Sequence, residues 1–168
     1  MLKQLINKFG TTIYIQIWST KIRLVDFNTK NVFEDEPILV IDKNKVGAAS
    51  AIGIGKAALS TASAGCEAVN PFSHPRVLFA DFAVGEKLLQ LAIKLILPRK
   101  LFNPAPFIII HPMEKTEGGL TIIENRALRE LAIGAGARDV MVYQGQNLVP
   151  EGFSLESLKS ANPEWRKI

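Results

Sequence analysis

The run Phe-Ile-Ile-Ile at positions 107–110 constrains the fold more than any other feature of the sequence. Four consecutive apolar residues, three of them β-branched, are typical of a strand that is covered on both faces. Amphipathic helical patterns flank this run, over 82–97 on one side and 120–133 on the other. A strand between two such helices indicates crossover connections onto one sheet, so the sequence predicts an α/β domain.

Further strands and helix ends follow from local patterns. Alternation and β-branched runs predict strands at 13–18, 21–27, 32–33, 37–41, 77–80 and 139–143. Asp81 is the expected N-cap of the first long helix, which Pro98 ends. The glycines at 134 and 136 end the second helix. A meander of strands followed by crossover helices predicts a mixed sheet with helices packed on it.

Composition divides the chain further. Residues 10–36 and 76–150 are predicted to form the core, and 37–75 a small inserted lobe. The lobe is rich in Ala, Gly and Ser, and its segment 55–65 predicts one weak helix. Residues 151–168 form a tail with at most one short helix around 155–159. Residues 1–9 form a separate amphipathic segment.

The bulk properties exclude several classes of protein. The net charge of +4 is spread along the chain, which argues against a nucleic-acid-binding protein. The single cysteine, Cys66, cannot form an internal disulfide, which favours a reducing compartment. No apolar run reaches the roughly 18 residues that span a bilayer. The start of the chain is too short and too polar for a secretory signal, so we expect a cytoplasmic protein.

Residues 1–9 carry the most suggestive functional pattern. Their apolar and basic residues recur at helical spacing on different sides: Leu2, Leu5, Ile6 and Phe9 on one, Lys3 and Lys8 on the other. Such a helix can lie in a membrane interface. At this length it is marginal in water, so it would need lipid or several copies to hold. The sequence leaves open the alternative that the four apolar residues pack on the domain.

Familiar catalytic motifs are incomplete. The segment Gly-Ile-Gly-Lys at 53–56 lacks the first glycine and the final Ser or Thr of a phosphate loop. His74 and His111 have no His or Cys at ligand spacing, so no metal site is expected. No nucleophile elbow is present. The sequence therefore predicts no catalytic residue, no cofactor and no metal.

Six short segments stand out in collinear order over residues 1–143. They are MLKQLINKF at 1–9, DEPILVI at 35–41, AIG at 51–53, NPF at 70–72, ADFAVGEKLLQ at 80–90, and ENRALRELAI followed by GAGARDV up to 140. Together they resemble the MreB-type family of bacterial actin-like proteins. The resemblance implies the first half of an actin-like ATPase fold, a ribonuclease-H-like mixed sheet with a small inserted lobe. It also implies that residues 1–9 are a membrane anchor.

The departures from this family concern its ATP site. Where the family's first hairpin reads DLGT, this chain has Gln16, Trp18 and Ser19, which supply neither the carboxylate nor the small glycine. Gln144 follows the last strand where the family places the acidic residue that orients water. The second phosphate loop and second domain of the family lie beyond the resemblance. A ribonuclease-type site would likewise need a carboxylate at Gln16. A loop at 113–119 is longer than the family pattern, with no assigned role.

The resemblance, together with the departures from the family's ATP site, predicts a non-catalytic protein involved in bacterial cell shape. It would act as a membrane-associated interaction module. Its expected partners are an MreB-type filament or another shape or division protein, the inner-membrane surface and further copies of itself. Two alternatives stay open: a nucleotide-binding half that another chain completes in trans, and a degenerate fragment.

Overall fold

The structure is a computed structural model, and it describes residues 10–98 and 103–166. The predicted amphipathic segment, with Leu2, Lys3, Leu5, Ile6, Lys8 and Phe9, lies outside the described residues. Eight strands are described: β1 Thr12–Ile17, β2 Ile22–Asp26, β3 Val32–Asp35, β4 Leu39–Asp42, β5 Ala51–Ile54, β6 Cys66–Val69, β7 Phe107–Pro112 and β8 Asp139–Val142.

Five of these strands form one mixed sheet in the order β3-β2-β1-β7-β8. β1 and β2 pair antiparallel, as do β2 and β3, whereas β7 runs parallel to both β1 and β8. Every residue of β1 and β7 is buried, as expected for strands with neighbours on both sides and cover on both faces. The predicted mixed sheet with a covered central strand is therefore confirmed.

A second sheet, of three antiparallel strands, has the order β5-β4-β6. The short helix α1 (Gly55–Ser60) connects β5 to β6. The sequence predicts β4 but neither β5 nor β6, because these edge strands are four residues long, none of their residues is buried, and they lack apolar alternation. The strand predicted at 77–80 is wrong. That segment is an irregular connection in which Val77 is 42% exposed.

Helices α2 (Phe82–Ile96) and α3 (Ile122–Gly134) pack on one face of the five-stranded sheet. Asp81 caps α2 as predicted, since its carboxylate accepts from the Val84 N–H at 3.0 Å. Thr121 and Glu124 form a reciprocal capping box at the start of α3. The apolar faces of both helices join the odd-numbered residues of β1 in one buried cluster.

The other face of the sheet is covered by the last described residues. Helix α4 (Leu155–Ala161) and the 3-10 turn Pro163–Arg166 lie over it. A second buried cluster results, whose sheet side consists of Tyr14, Val25, Phe107, Ile109 and Met141. The Trp165 ring meets Phe107 edge-on at 5.5 Å between centroids. The sequence predicts the short helix at 155–159 but not its part in covering the sheet.

Candidate functional site at the first hairpin

The candidate site lies at the end of the sheet that holds the carboxyl ends of β1, β7 and β8. These three strands are parallel, so the residues that follow them lie at the same end of the sheet. In open α/β sheets, ligands bind at the carboxyl ends of the strands. The β1–β2 turn, the 113–119 loop after β7 and the segment 143–148 after β8 converge there. The turn itself is closed by a hydrogen bond from Trp18 N–H to the Lys21 carbonyl at 2.8 Å.

Gln16, which the family resemblance aligns with the metal-organising carboxylate, is a buried structural side chain. It is 4% exposed. Its Nε2 donates to Asn147 Oδ1 at 3.0 Å and approaches Met113 Sδ at 3.6 Å. Its Oε1 accepts from Arg23 Nη1 at 3.1 Å. Both ends of the amide are thus engaged by protein groups from three separate segments.

The hairpin tip is also engaged by protein groups. The Lys21 ammonium lies 4.3 Å from the centroid of the half-buried Trp18 indole, in a cation–π contact. The backbone N–H of Ser19 donates to Glu114 Oε2 at 2.8 Å. This hydrogen bond is the main reason that the pKa of the Glu114 carboxyl lies below its usual range. The backbone amide of Ser19, in the hairpin that the resemblance aligns with the family's phosphate loop, therefore donates to a carboxylate of the same chain.

Gln144 does not join Gln16. Its side chain is exposed, and its Oε1 accepts from the Leu120 N–H at 3.4 Å, just before α3. The residue after β8 that does reach Gln16 is Asn147, three positions further on. Sequence reasoning missed Asn147 and Glu114. The only signal for Glu114 was that its loop is longer than the family pattern.

A buried polar pair lies next to Gln16 on the same face of the sheet. His111 is the β7 partner of Gln16 in the parallel register. Its Nδ1 lies 2.6 Å from the Tyr14 hydroxyl. The Tyr143 ring packs edge-on against the His111 imidazole. Burial raises the pKa of Tyr14 to about 12 and lowers the pKa of His111. The pair is thus held neutral around pH 7.

Within residues 10–98 and 103–166, no three His, Cys, Asp or Glu side chains come together in a group that could hold a metal ion. His74 instead accepts hydrogen bonds from the N–H groups of Arg76 and Val77. No helix in this part of the chain has the length and apolar character needed to cross a membrane.

Comparison with solved structures defines the class of protein. MreB5 of Spiroplasma citri bound to ADP superposes on this chain with a TM-score of 0.58, at 18% identity. The match covers 80% of this chain and 38% of that one. A second structure of the same protein, bound to AMPPNP, matches with a TM-score of 0.55. The chain therefore has an actin-like fold, and it corresponds to somewhat less than half of these actin-like chains.

Comparison of sequences adds the particular relationship. No family model matches the chain. It is 30% identical over 149 residues to the cell shape-determining protein MreB of Haemophilus influenzae, over 86% of this chain and 40% of the relative. A stretch of 69 residues is 41% identical to the uncharacterized protein YjaA of Escherichia coli. The chain is MreB-like, as its collinear segments predicted. It spans about two fifths of the length of the curated MreB relatives it matches.

Proposed function

We propose that this chain is a non-catalytic MreB-like protein of bacterial cell shape, which acts at the inner membrane as an interaction module for cytoskeletal or shape proteins. The observation that carries the proposal is that Gln16 and the Ser19 amide of the first hairpin are hydrogen-bonded to other groups of the same chain. Similarity to MreB supports the role in cell shape, and the hairpin supports the absence of ATP chemistry.

A nucleotide phosphate does not fit the hairpin as it stands. The Ser19 amide already donates to the Glu114 carboxylate, and this negative charge would repel an incoming phosphate. A phosphate that displaced the carboxylate would also break this hydrogen bond, and a hydrogen bond to a charged group contributes roughly 1.5–3 kcal/mol. Gln16 offers no carboxylate to a metal ion, and both ends of its amide are already hydrogen-bonded. These contacts of the hairpin support a non-catalytic role for this chain.

The described residues near Gly10 support the membrane part of the proposal. Gly10 follows the amphipathic segment 1–9 and lies at the edge where β1 begins. The β2–β3 turn belongs to the same edge, because Asn28 Oδ1 accepts from the Thr12 N–H at 3.1 Å. This turn also contacts the end of α2, where Lys94 is exposed and Leu95 is 64% exposed. A basic and an apolar side chain at the end of the sheet where β1 begins favour an anionic lipid surface.

Exposed apolar residues support association with a protein partner. Ile122 and Ile123, in the first turn of α3, are 77% and 80% exposed. They lie beside the candidate site, because Leu120 just before them contacts Gln144. Exposed apolar groups of this kind favour self-association or binding of an MreB-type filament or another shape or division protein. We expect dimers or larger species in light scattering, and a monomer across a concentration series would count against this part.

Vesicle flotation tests the membrane part. The full chain is expected to float with vesicles containing phosphatidylglycerol and to float less with purely zwitterionic vesicles. The double substitution Leu5→Gln and Ile6→Gln should abolish flotation, because it removes the centre of the apolar side. The control, Gln4→Ser and Asn7→Ser, changes the polar side of the segment and should float like the wild type. Equal flotation of the two variants would refute the membrane anchor.

Calorimetry separates the proposal from the two alternatives. With ATP and Mg²⁺ we expect no heat of binding at micromolar nucleotide for this chain alone, and no heat beyond that of a full-length MreB-type protein when the two are mixed. Heat in the mixture that exceeds the heat of the second protein alone would instead favour a nucleotide site completed in trans. If deletion of the gene left cell width unchanged and the chain bound neither vesicles nor an MreB-type filament, a degenerate fragment would be the better account.

A further inference from the structure

The long loop 113–119 makes contacts that the sequence did not anticipate. Glu114 and Lys115 are adjacent and carry opposite charges, and each reaches a different part of the fold. The Glu114 carboxylate binds the hairpin amide of Ser19. The Lys115 ammonium donates to three backbone carbonyls on the connection between β6 and α2: those of Phe72 at 3.1 Å, Val77 at 3.2 Å and His74.

A direct bond joins the same two regions. Asn70 Nδ2 donates to the Ser19 carbonyl at 2.8 Å, and Asn70 Oδ1 accepts from the Phe72 N–H at 2.9 Å. The hairpin and the 70–77 connection are thus linked both directly and through residues 114–115. Phe72 is 1% exposed and belongs to the main core cluster, so this connection is part of the packed structure.

The backbone of the loop is shaped for these contacts. Lys115 has φ +58°, in the left-handed region that residues other than Gly, Asn and Asp rarely adopt. Gly118 and Gly119 also have positive φ, at +82° and +84°. A non-glycine residue keeps such a conformation when its surroundings over-determine it. The three carbonyls around the ammonium of Lys115 provide that determination.

We propose that residues 114–115 form a built-in clamp, in which Glu114 acts as an internal anion for the first hairpin and Lys115 fastens the 70–77 connection to it. The position of the hairpin relative to the 70–77 connection is then fixed by the protein itself and does not depend on an anionic ligand at the hairpin. The clamp deepens the non-catalytic part of the proposed function. It is independent of the membrane part, so clamp variants are expected to float with vesicles like the wild type.

Hydrogen exchange of the full chain, read residue by residue by NMR, tests the clamp. Glu114→Ala should speed exchange of the Ser19 amide by roughly 10- to 100-fold, the factor that corresponds to loss of a hydrogen bond to a charged group of roughly 1.5–3 kcal/mol. Glu114→Gln keeps an acceptor but removes the charge, so it should give a smaller increase. Lys115→Met should speed exchange at 70–77, and Lys115→Arg should restore part of the protection. Adding ATP and Mg²⁺ to the wild type should leave these rates unchanged.

The control is Glu117→Gln, which removes an exposed charge from the same loop. It should leave both regions unchanged. The amides of Ile15 and Ile109, on the inner strands β1 and β7, report whether each variant is folded. The clamp is refuted if Ser19 exchanges equally fast in the wild type and Glu114→Ala, or if Glu117→Gln matches the effect of Glu114→Ala. Slower Ser19 exchange on addition of ATP and Mg²⁺ would refute it as well, and would overturn the non-catalytic proposal with it.

Discussion

Replacement of Tyr14 by Phe tests the buried polar pair beside the candidate site. Tyr14 is fully buried, and its hydroxyl lies 2.6 Å from His111 Nδ1. The substitution removes one oxygen atom and leaves the ring in its buried cluster, against Phe27. It therefore isolates the hydrogen bonds of the hydroxyl, to His111 Nδ1 and to the Leu148 backbone, from the apolar packing. The imidazole nitrogen remains in the protein interior without its partner.

The expected size of the effect depends on pH. At about pH 8, removal of one partner of a buried hydrogen bond costs roughly 1–3 kcal/mol. The pKa of Tyr14 is about 12 in the folded protein against 10.0 without burial. Between these values the unfolded chain releases the proton and the folded chain keeps it, so wild-type stability falls as pH rises. From about pH 8 to about pH 11 the wild type loses roughly 1.4 kcal/mol that the variant keeps. The cost of Tyr14→Phe should therefore shrink by that amount.

Urea unfolding followed by circular dichroism measures both quantities. The matched control is Tyr143→Phe, which makes the same chemical change on a half-buried ring that packs on His111. The control should cost less than about 1 kcal/mol at every pH, because no buried hydrogen bond is lost. Equal costs for the two variants at about pH 8 would refute the assigned bond. A cost of Tyr14→Phe that did not change in alkali would refute the raised pKa of Tyr14.

Three further predictions concern Gln16, His111 and Asp81. Gln16→Asp should lower the free energy of unfolding by about 1–3 kcal/mol, more than Gln16→Asn, without creating ATP hydrolysis; phosphate release by the purified variant would contradict this. Burial lowers the pKa of His111 below 6.5, so the unfolded chain binds a proton first as pH falls. Stability should then decline below 6.5, and the urea midpoint of His111→Asn should depend less on pH there; equal slopes would count against it. Asp81→Ala should cost about 1 kcal/mol in thermal unfolding because the cap of α2 is lost, whereas Glu117→Ala should be neutral.

The sequence predicted elements whose pattern is local and strong. The run at 107–110 became the covered strand β7, and Asp81 became the cap of α2. The strands β5 and β6 were missed because each has only four residues, none of them buried, so neither shows the alternation of a half-buried strand. The apolar segment 77–80 suggested a strand, yet its backbone groups do not pair with a neighbouring strand. The Ala80 N–H donates to the Pro71 carbonyl, and the Val77 carbonyl accepts from Lys115 Nζ. Local pattern could not reveal these long-range partners.

For the candidate site, too, the sequence predicted the local feature but not its long-range partners. From the residues and the resemblance, the sequence located the altered hairpin at Gln16, Trp18 and Ser19. It could not predict that Asn147 and Glu114, which are 131 and 95 positions away from Gln16 and Ser19, would bond to them. Such contacts depend on which strand ends meet at the edge of the sheet. They follow from topology, and no spacing in the sequence encodes them.

The departures from the family pattern are parts of one structural change. A backbone N–H that is partly withdrawn from water needs a partner, so under the proposed absence of an anionic ligand the hairpin must obtain an acceptor from its own chain. The 113–119 loop supplies Glu114 for that purpose. An amide in place of a carboxylate at Gln16 needs both a donor and an acceptor, which Arg23 and Asn147 supply. Reversing one of these residues alone would therefore disturb a set of matched hydrogen bonds, which is why Gln16→Asp is expected to destabilise the protein and not to restore ATP chemistry.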